Sequence, residues 1–235
     1  MRRIGFSTGA LARGDFRSAL VTLRRHGIRV VELSALRVAE LDPLVNAMSS
    51  LDLNDFSFVA IHAPSRYERE QEARIIERLQ ALVGLGYPVV VHPDVIFDRP
   101  RWRALGEALL IENMDKRKPI GRTADELRDF FGELPAARFC FDIGHARQVD
   151  PSMTEAALLL CAFQDRLAEV HMSEVNTASR HDPISANAVS AFSSVLSSIP
   201  EAVPIVLEPL IDQGQSDIET ELGRAKDVFA VVAAA

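Results

Sequence analysis

Five of the six histidines in this chain lie at or just beyond the end of a hydrophobic run. His62 closes VAIHAP, His92 closes VVVHPD and His171 closes AEVHMSE, while His145 ends FCFDIGH and His181 follows a little later. Only His26 falls elsewhere, at a predicted helix terminus. Carboxylates end the other runs: Glu32 in VVELS, Glu112 in LLIENMD, Asp142 in FCFDIGH and Glu208 in IVLEP. Any one such residue, taken alone, is ordinarily a solvated or hydrogen-bonded side chain. As a convergent set they read differently. Several buried carboxylates and imidazoles at one place would repel or stay unsatisfied unless a cation balanced them. Mixed Glu/Asp/His ligation suits zinc or manganese first, with cobalt, nickel or iron(II) after them, better than calcium or magnesium. Nothing in the pattern asks for an organic cofactor.

The elements that must bring these residues together are alternating strands and helices. Runs rich in β-branched and aromatic residues predict strands over 3–7, 30–34, 58–63, 89–93, 109–113, 138–142, 168–172 and 204–208. Amphipathic stretches over 15–26, 68–83, 123–131, 152–163 and 186–198 predict helices between them, and 216–235 reads as a closing helix. After the fourth strand the only helix candidate is 98–107. Thr123 with Glu126 forms a capping-box signature, and Asp150-Pro151 reads as a helix start. Strand interiors are apolar, as in a parallel sheet covered on both faces. Eight such units with no linker, repeat or low-complexity tract predict a single (β/α)8 barrel over 1–235, a doubly wound open sheet being the alternative. In a barrel all eight strand ends face one mouth.

Composition narrows the partners. With 26 Lys and Arg against 33 Asp and Glu, the net charge is −7 and the average field repels a phosphate backbone. A nucleic-acid role would need a local basic patch from Arg99, Arg101, Arg103, Lys116, Arg117 and Lys118, whose simpler reading is solvated helix ends and a loop. No export signal is read after Arg2 and Arg3, no apolar run is long enough to span a bilayer, and the expected location is the cytoplasm. Cys140, in a strand, and Cys161, on the apolar side of a helix, read as core thiols. Phe97, Trp102 and Met172 read as core rather than as an apolar wall of the site.

The order of these short motifs, from Arg3 to Glu208, resembles the xylose-isomerase-like barrels, which include sugar and sugar-phosphate isomerases and epimerases and the endonuclease IV type of nuclease. In the isomerase branch the resemblance implies one metal held by Glu112, Asp142, His171 and Glu208. His145, three residues after the aspartate, would contact substrate, and Arg180 is the candidate for an arginine after the seventh strand. In the nuclease branch it implies a multinuclear site in which His62 and His92 join a bridging Glu112. A third metal there would use His145 and His181, but the aspartate expected two residues before His181 is Ser179. Barrels of this kind often pair, so a homodimer is the assembly the resemblance suggests.

Three functions follow. The first is a divalent-metal-dependent isomerase or epimerase of a small sugar, sugar phosphate or polyol, with Glu112 and Glu208 exchanging a proton and His145 orienting a hydroxyl. The second is a phosphodiesterase or other hydrolase with a multinuclear metal centre, for which short loops and acidity argue against a DNA substrate. The third is oxidation at iron, or ligand binding without turnover. Lys116, with Arg117 and Lys118, is placed to hold a substrate phosphate, and Glu32 to support the site or touch substrate.

Overall fold

A computed structural model describes residues 2–196, 199–211 and 217–233 of the chain. Among the described residues ten strands occur in order: β1 Ile4–Ser7, β2 Val30–Ser34, β3 Phe58–His62, β4 Val89–Val91, β5 Leu109–Glu112, β6 Arg138–Asp142, β7 Leu167–Met172, β8 Glu174–Val175, β9 His181–Asp182 and β10 Ile205–Leu207. Eight of them close a parallel barrel in the order β1-β10-β7-β6-β5-β4-β3-β2, and β8 with β9 forms a separate antiparallel ribbon. The eight predicted strands are the eight of the barrel, with ends differing by at most two residues. The open-sheet alternative is overturned, because β1 pairs with both β2 and β10.

The described residues also hold ten helices, between and after the strands: α1 Thr8–Ala12, α2 Phe16–Arg25, α3 Val38–Ala47, α4 Glu72–Val83, α5 Arg99–Trp102, α6 Ala124–Glu133, α7 Ile143–Val149, α8 Thr154–Phe163, α9 Ala186–Leu196 and α10 Ile218–Ala233. Their buried faces follow the helical period. In α4, Ile75, Ile76, Leu79 and Leu82 are buried against the strands. The outward side chains of the strands meet them in one continuous core that includes Ile61, Val91, Ile111, Phe141 and Leu207. Inside the barrel a smaller apolar cluster of Val90, Leu110 and Cys140 fills the lower part. Gly5 on β1 lies so close to β2 that an added Cβ would collide with the Val30 carbonyl oxygen.

Several local readings change. The pattern did not predict α1, α3 or α7, which are short, carry Pro43 inside, or begin directly on a strand end. The helix expected at Asp150-Pro151 starts at Thr154. Asp150 instead accepts from the Ser152 and Glu155 amides, and Met153 at φ 64° makes the entry. Thr123 caps α6 as expected, yet Glu126 reaches back to the Arg122 amide rather than to that of Thr123. Cys161 is exposed while Cys140 is buried, since α8 is apolar over much of its circumference and leaves Leu158 exposed as well. Residues 197–198, 216 and 234–235 of the predicted terminal segments lie outside the described residues. Among the described residues, no helix is long and apolar enough to cross a membrane.

Candidate metal centre

Each strand end sends one side chain into the barrel, one position after a hydrophobe that points outward. Pairing sets the neighbours: Ser34 stands beside His62, and Asp142 beside His171. His62, Glu112, Asp142, His145 and His171 are all 3% exposed or less, with His92 and Glu208 a little more open.

Glu112 is at the centre. Its Oε2 lies 3.4 Å from His62 Nε2 and 3.2 Å from His92 Nε2. Its Oε1 lies 3.3 Å from His171 Nδ1 and 3.4 Å from His145 Nδ1. One carboxylate thus divides two sets of imidazoles between its two oxygens. On the far side Glu208 Oε2 lies 3.4 Å from His171 Nδ1 and 3.5 Å from His181 Nδ1. Three donor groups result at the mouth: His62 with His92 and Glu112; Glu112 with Asp142, His171 and Glu208; and Asp142 with His145 and His181.

Local structure aims these donors. Asp142 caps α7: its Oδ1 accepts the His145 amide at 2.6 Å, which leaves a buried Oδ2 with no hydrogen-bond partner. Gly144 permits that turn, because a Cβ there would strike the Ser173 carbonyl oxygen. Backbone carbonyls, which only accept, meet His62 Nδ1 (Ala63, 2.8 Å) and His145 Nδ1 (Asn113, 2.9 Å). Both rings therefore carry a proton on Nδ1 and leave Nε2 as the atom a cation would claim, the arrangement that orients imidazole ligands. Asn113 also ties β5 to β6 through the Asp142 amide and carbonyl, both at 2.8 Å.

The charges answer one another. Burial depresses the His62 imidazolium, but Glu32, Glu112 and Glu208 outweigh it and lift its pKa to about 9. Burial also opposes the charge on His171, and surrounding groups, Cys140, Glu208, Glu32 and Glu112 among them, raise it well above the usual imidazole range. For Glu208, burial raises the pKa and His171 with His181 lowers it, to about 2. Burial, with repulsion from Glu112 and Glu208, pushes the Asp142 carboxyl well above the usual carboxylate range. Protons thus occupy the donor atoms that a cation would claim. The unpartnered Glu112 Oε2 and Asp142 Oδ2, with imidazole nitrogens facing them, fit divalent cations by donor type.

Above these groups opens a cavity of about 560 Å³ whose rim carries Arg117, Lys118 and Arg180. Lys118 Nζ bonds Asp94 Oδ2 at 2.8 Å and approaches His92 Nδ1 at 3.4 Å. Lys116, expected to hold substrate, is exposed and lies outside this lining: its amide is held by Gln148 Oε1, and the following two residues line the cavity. Glu32, expected at the substrate or in support of the site, is 0% exposed and outside the cavity lining, which excludes substrate contact in this conformation. It faces His171 Nε2 at 3.2 Å from below. Ser179, where the nuclease pattern has an aspartate, donates to Asp115 Oδ1 at 2.6 Å. Arg99 and Arg101 pair with neighbouring Glu133 and Asp98, and Arg103 with the Glu133 carbonyl, so they form solvated helix ends. Phe97, Trp102 and Met172 pack in or against the core as expected.

Sequence reasoning did not single out Asn113, Asp115 or Glu169. Glu169 was legible in principle, since it precedes His171 by two residues on a strand and must share its face.

No family model and no curated protein matches the chain. Solved structures do. An endonuclease IV from Thermus thermophilus superposes with a TM-score of 0.64 at 20% identity, over 99% of this chain and 100% of that one. The 3-keto-D-glucoside 4-epimerase of E. coli gives 0.61 at 14% identity, covering both chains fully. A xylose isomerase-like TIM barrel protein from Mycobacterium smegmatis, in complex with magnesium, gives 0.63 at 13% identity, over 100% of this chain and 98% of that one. The chain has the xylose-isomerase-like (β/α)8 fold.

Proposed function

We propose that this protein is a metal-dependent hydrolase of a small phosphate ester, working with more than one divalent cation at the barrel mouth. The observation that carries the reading is the division of Glu112, whose Oε2 faces His62 and His92 and whose Oε1 faces His171. A mononuclear site would need neither His62 nor His92. Divalent cations held by these residues would lower the pKa of water and neutralise charge developing on phosphoryl oxygens.

The chain's own groups supply the rest. Arg117, Lys118 and Arg180 give the rim three cations able to hold a phosphoryl group. Asp94 fixes the Lys118 ammonium, and Asn113 holds β6 and His145 in register with β5. Glu208 is ionised throughout the physiological range and can orient a donor on the substrate. A cavity of about 560 Å³ suits a small molecule, and a net charge of −7 argues against long duplex DNA as substrate.

A second reading, isomerisation or epimerisation of a small sugar or sugar phosphate, is favoured by the quartet Glu112, Asp142, His171 and Glu208, a complete four-ligand set without the other histidines. The test is metal counting by elemental analysis, paired with two assays. Two or more EDTA-removable equivalents, with metal-dependent cleavage of bis(p-nitrophenyl) phosphate, is the expected result. A single EDTA-removable equivalent with exchange of a sugar C–H proton into solvent would transfer the function to isomerisation.

A further inference from the structure

One layer beneath the mouth the barrel holds a second group of donors. Glu169 lies two residues before His171 on β7, and Glu32 lies in the middle of β2. All three side chains are 0% exposed. Glu32 Oε2 lies 3.2 Å from His171 Nε2 and Glu169 Oε1 3.7 Å from the same atom. This is the edge of the ring opposite to the Nδ1 that serves Glu112 and Glu208. Ala60 stands beside Glu32 in the sheet and Cys140 beside Glu169, so the layer offers little polar company.

The hydrogen-bond count does not close here. None of the four carboxylate oxygens of Glu32 and Glu169 has a hydrogen-bond partner, and neither does His171 Nε2. An imidazole N–H has one hydrogen to offer, and it can satisfy one of the four. Two buried carboxylates with a single imidazole N–H between them are among the costliest arrangements a fold can keep. The three donor atoms converge, lying within 4.8 Å of one another.

We propose that Glu32, Glu169 and Nε2 of His171 form a separate, inner site for a divalent cation of the zinc class, the His171 ring bridging it to a mouth cation as an imidazolate, with both N–H protons released to solvent as the metals bind. Two carboxylate oxygens and an imidazole nitrogen match that class better than magnesium or calcium. The site has no opening to solvent, so its ion enters as the chain folds and exchanges slowly. Its role is structural: it balances the two carboxylates and pins the ring that ends β7. The proposal does not depend on the hydrolase reading, since no substrate reaches this layer.

The test uses the full chain expressed in zinc-supplemented medium, dialysed against EDTA and analysed for metal. Wild type and His92→Ala, whose lesion is confined to the mouth, should each retain one equivalent of zinc. Glu169→Gln and Glu32→Gln should retain none while keeping the circular-dichroism spectrum of the barrel. If wild type retains no zinc, the inner site is overturned, and this arm stands even where a variant fails to fold. If Glu169→Gln and Glu32→Gln keep as much zinc as wild type, the site is equally overturned, and the carboxylates are balanced by protons. Absence of phosphoesterase activity after the mouth is reloaded with divalent cation, with the EDTA-resistant equivalent intact, would strike only the proposed function.

Discussion

The outward and inward faces of the same strands follow opposite rules. Outward stand Ile61, Val91, Ile111, Phe141, Val170 and Leu207, all fully buried in apolar contact with the helices. The next residue of each run is inward, and those residues are His62, His92, Glu112, Asp142, His171 and Glu208. One face lowers the free energy of the fold by burying hydrocarbon. The other gathers charges whose hydrogen bonds are incomplete, with Glu112 Oε2 and Asp142 Oδ2 left open. A strand period of two lets neighbouring residues serve stability and chemistry with little interference. Sites that break the satisfaction rule in this way are where function is expected.

That division can be broken most visibly at its centre. Glu112→Gln removes the group both histidine sets share, so turnover should fall on the order of 10³-fold, as when a key electrostatic group is removed. Bound metal should fall with it. Full metal content in that variant would end the shared-carboxylate reading.

The outward partner should behave in the reverse way. Phe141→Ala is expected to cost about 3–5 kcal/mol of stability. Activity per folded molecule should stay near that of wild type, as chemical denaturation and titrated assays can check. A loss of activity without a loss of stability would mean that the two faces are not separable.

The pH dependence sharpens the comparison further. Without metal, His62 with its pKa near 9 holds a proton at neutral pH, and the raised pKa values of His171 and Asp142 act in the same direction. Metal must displace such protons, so affinity should rise with pH, by about tenfold per unit for each proton released, until His62 titrates near pH 9. In the metal-free chain the His62 proton stabilises the fold fully below the ordinary pKa of 6.5, and that contribution is lost as pH rises through about 9. Calorimetry in two buffers of unlike ionisation enthalpy measures the release. Metal uptake with no proton release would contradict the charge assignment.

The smallest effects belong to the rim. Lys118→Ala should raise KM roughly 10- to 150-fold, the loss of one charge-assisted hydrogen bond of about 1.5–3 kcal/mol. Lys116→Ala should leave KM unchanged, since its side chain lies outside the cavity lining. Equal effects at the two positions would show that the loop after β5 rearranges when substrate binds.

Much of the fold was legible because parallel strands buried on both faces are short apolar runs, and eight of them stand out between amphipathic helices. The short α1 and α7, which continue directly from strand ends, left no period of their own to detect. Most of the mouth donors were legible too, since position at a strand end is a property of the chain itself. For Glu32 the pattern left support or substrate contact open, and the side chain faces His171; the place of the Lys116 side chain was not legible. Whether a residue at a strand end faces solvent, substrate or a neighbour below depends on strand tilt and on the turn that follows.

The sequence by itself determined the alternation, the strand ends and the donor types gathered there, because local hydrophobic pattern decides which residues share a face. Only the tertiary structure decided that Glu112 serves two histidine sets and that Asp142 spends one oxygen on a helix cap. It alone placed Glu32 and Glu169 under His171 rather than at the mouth. Those relations join strands far apart in the chain. They depend on barrel closure, which brings together atoms that no local spacing relates.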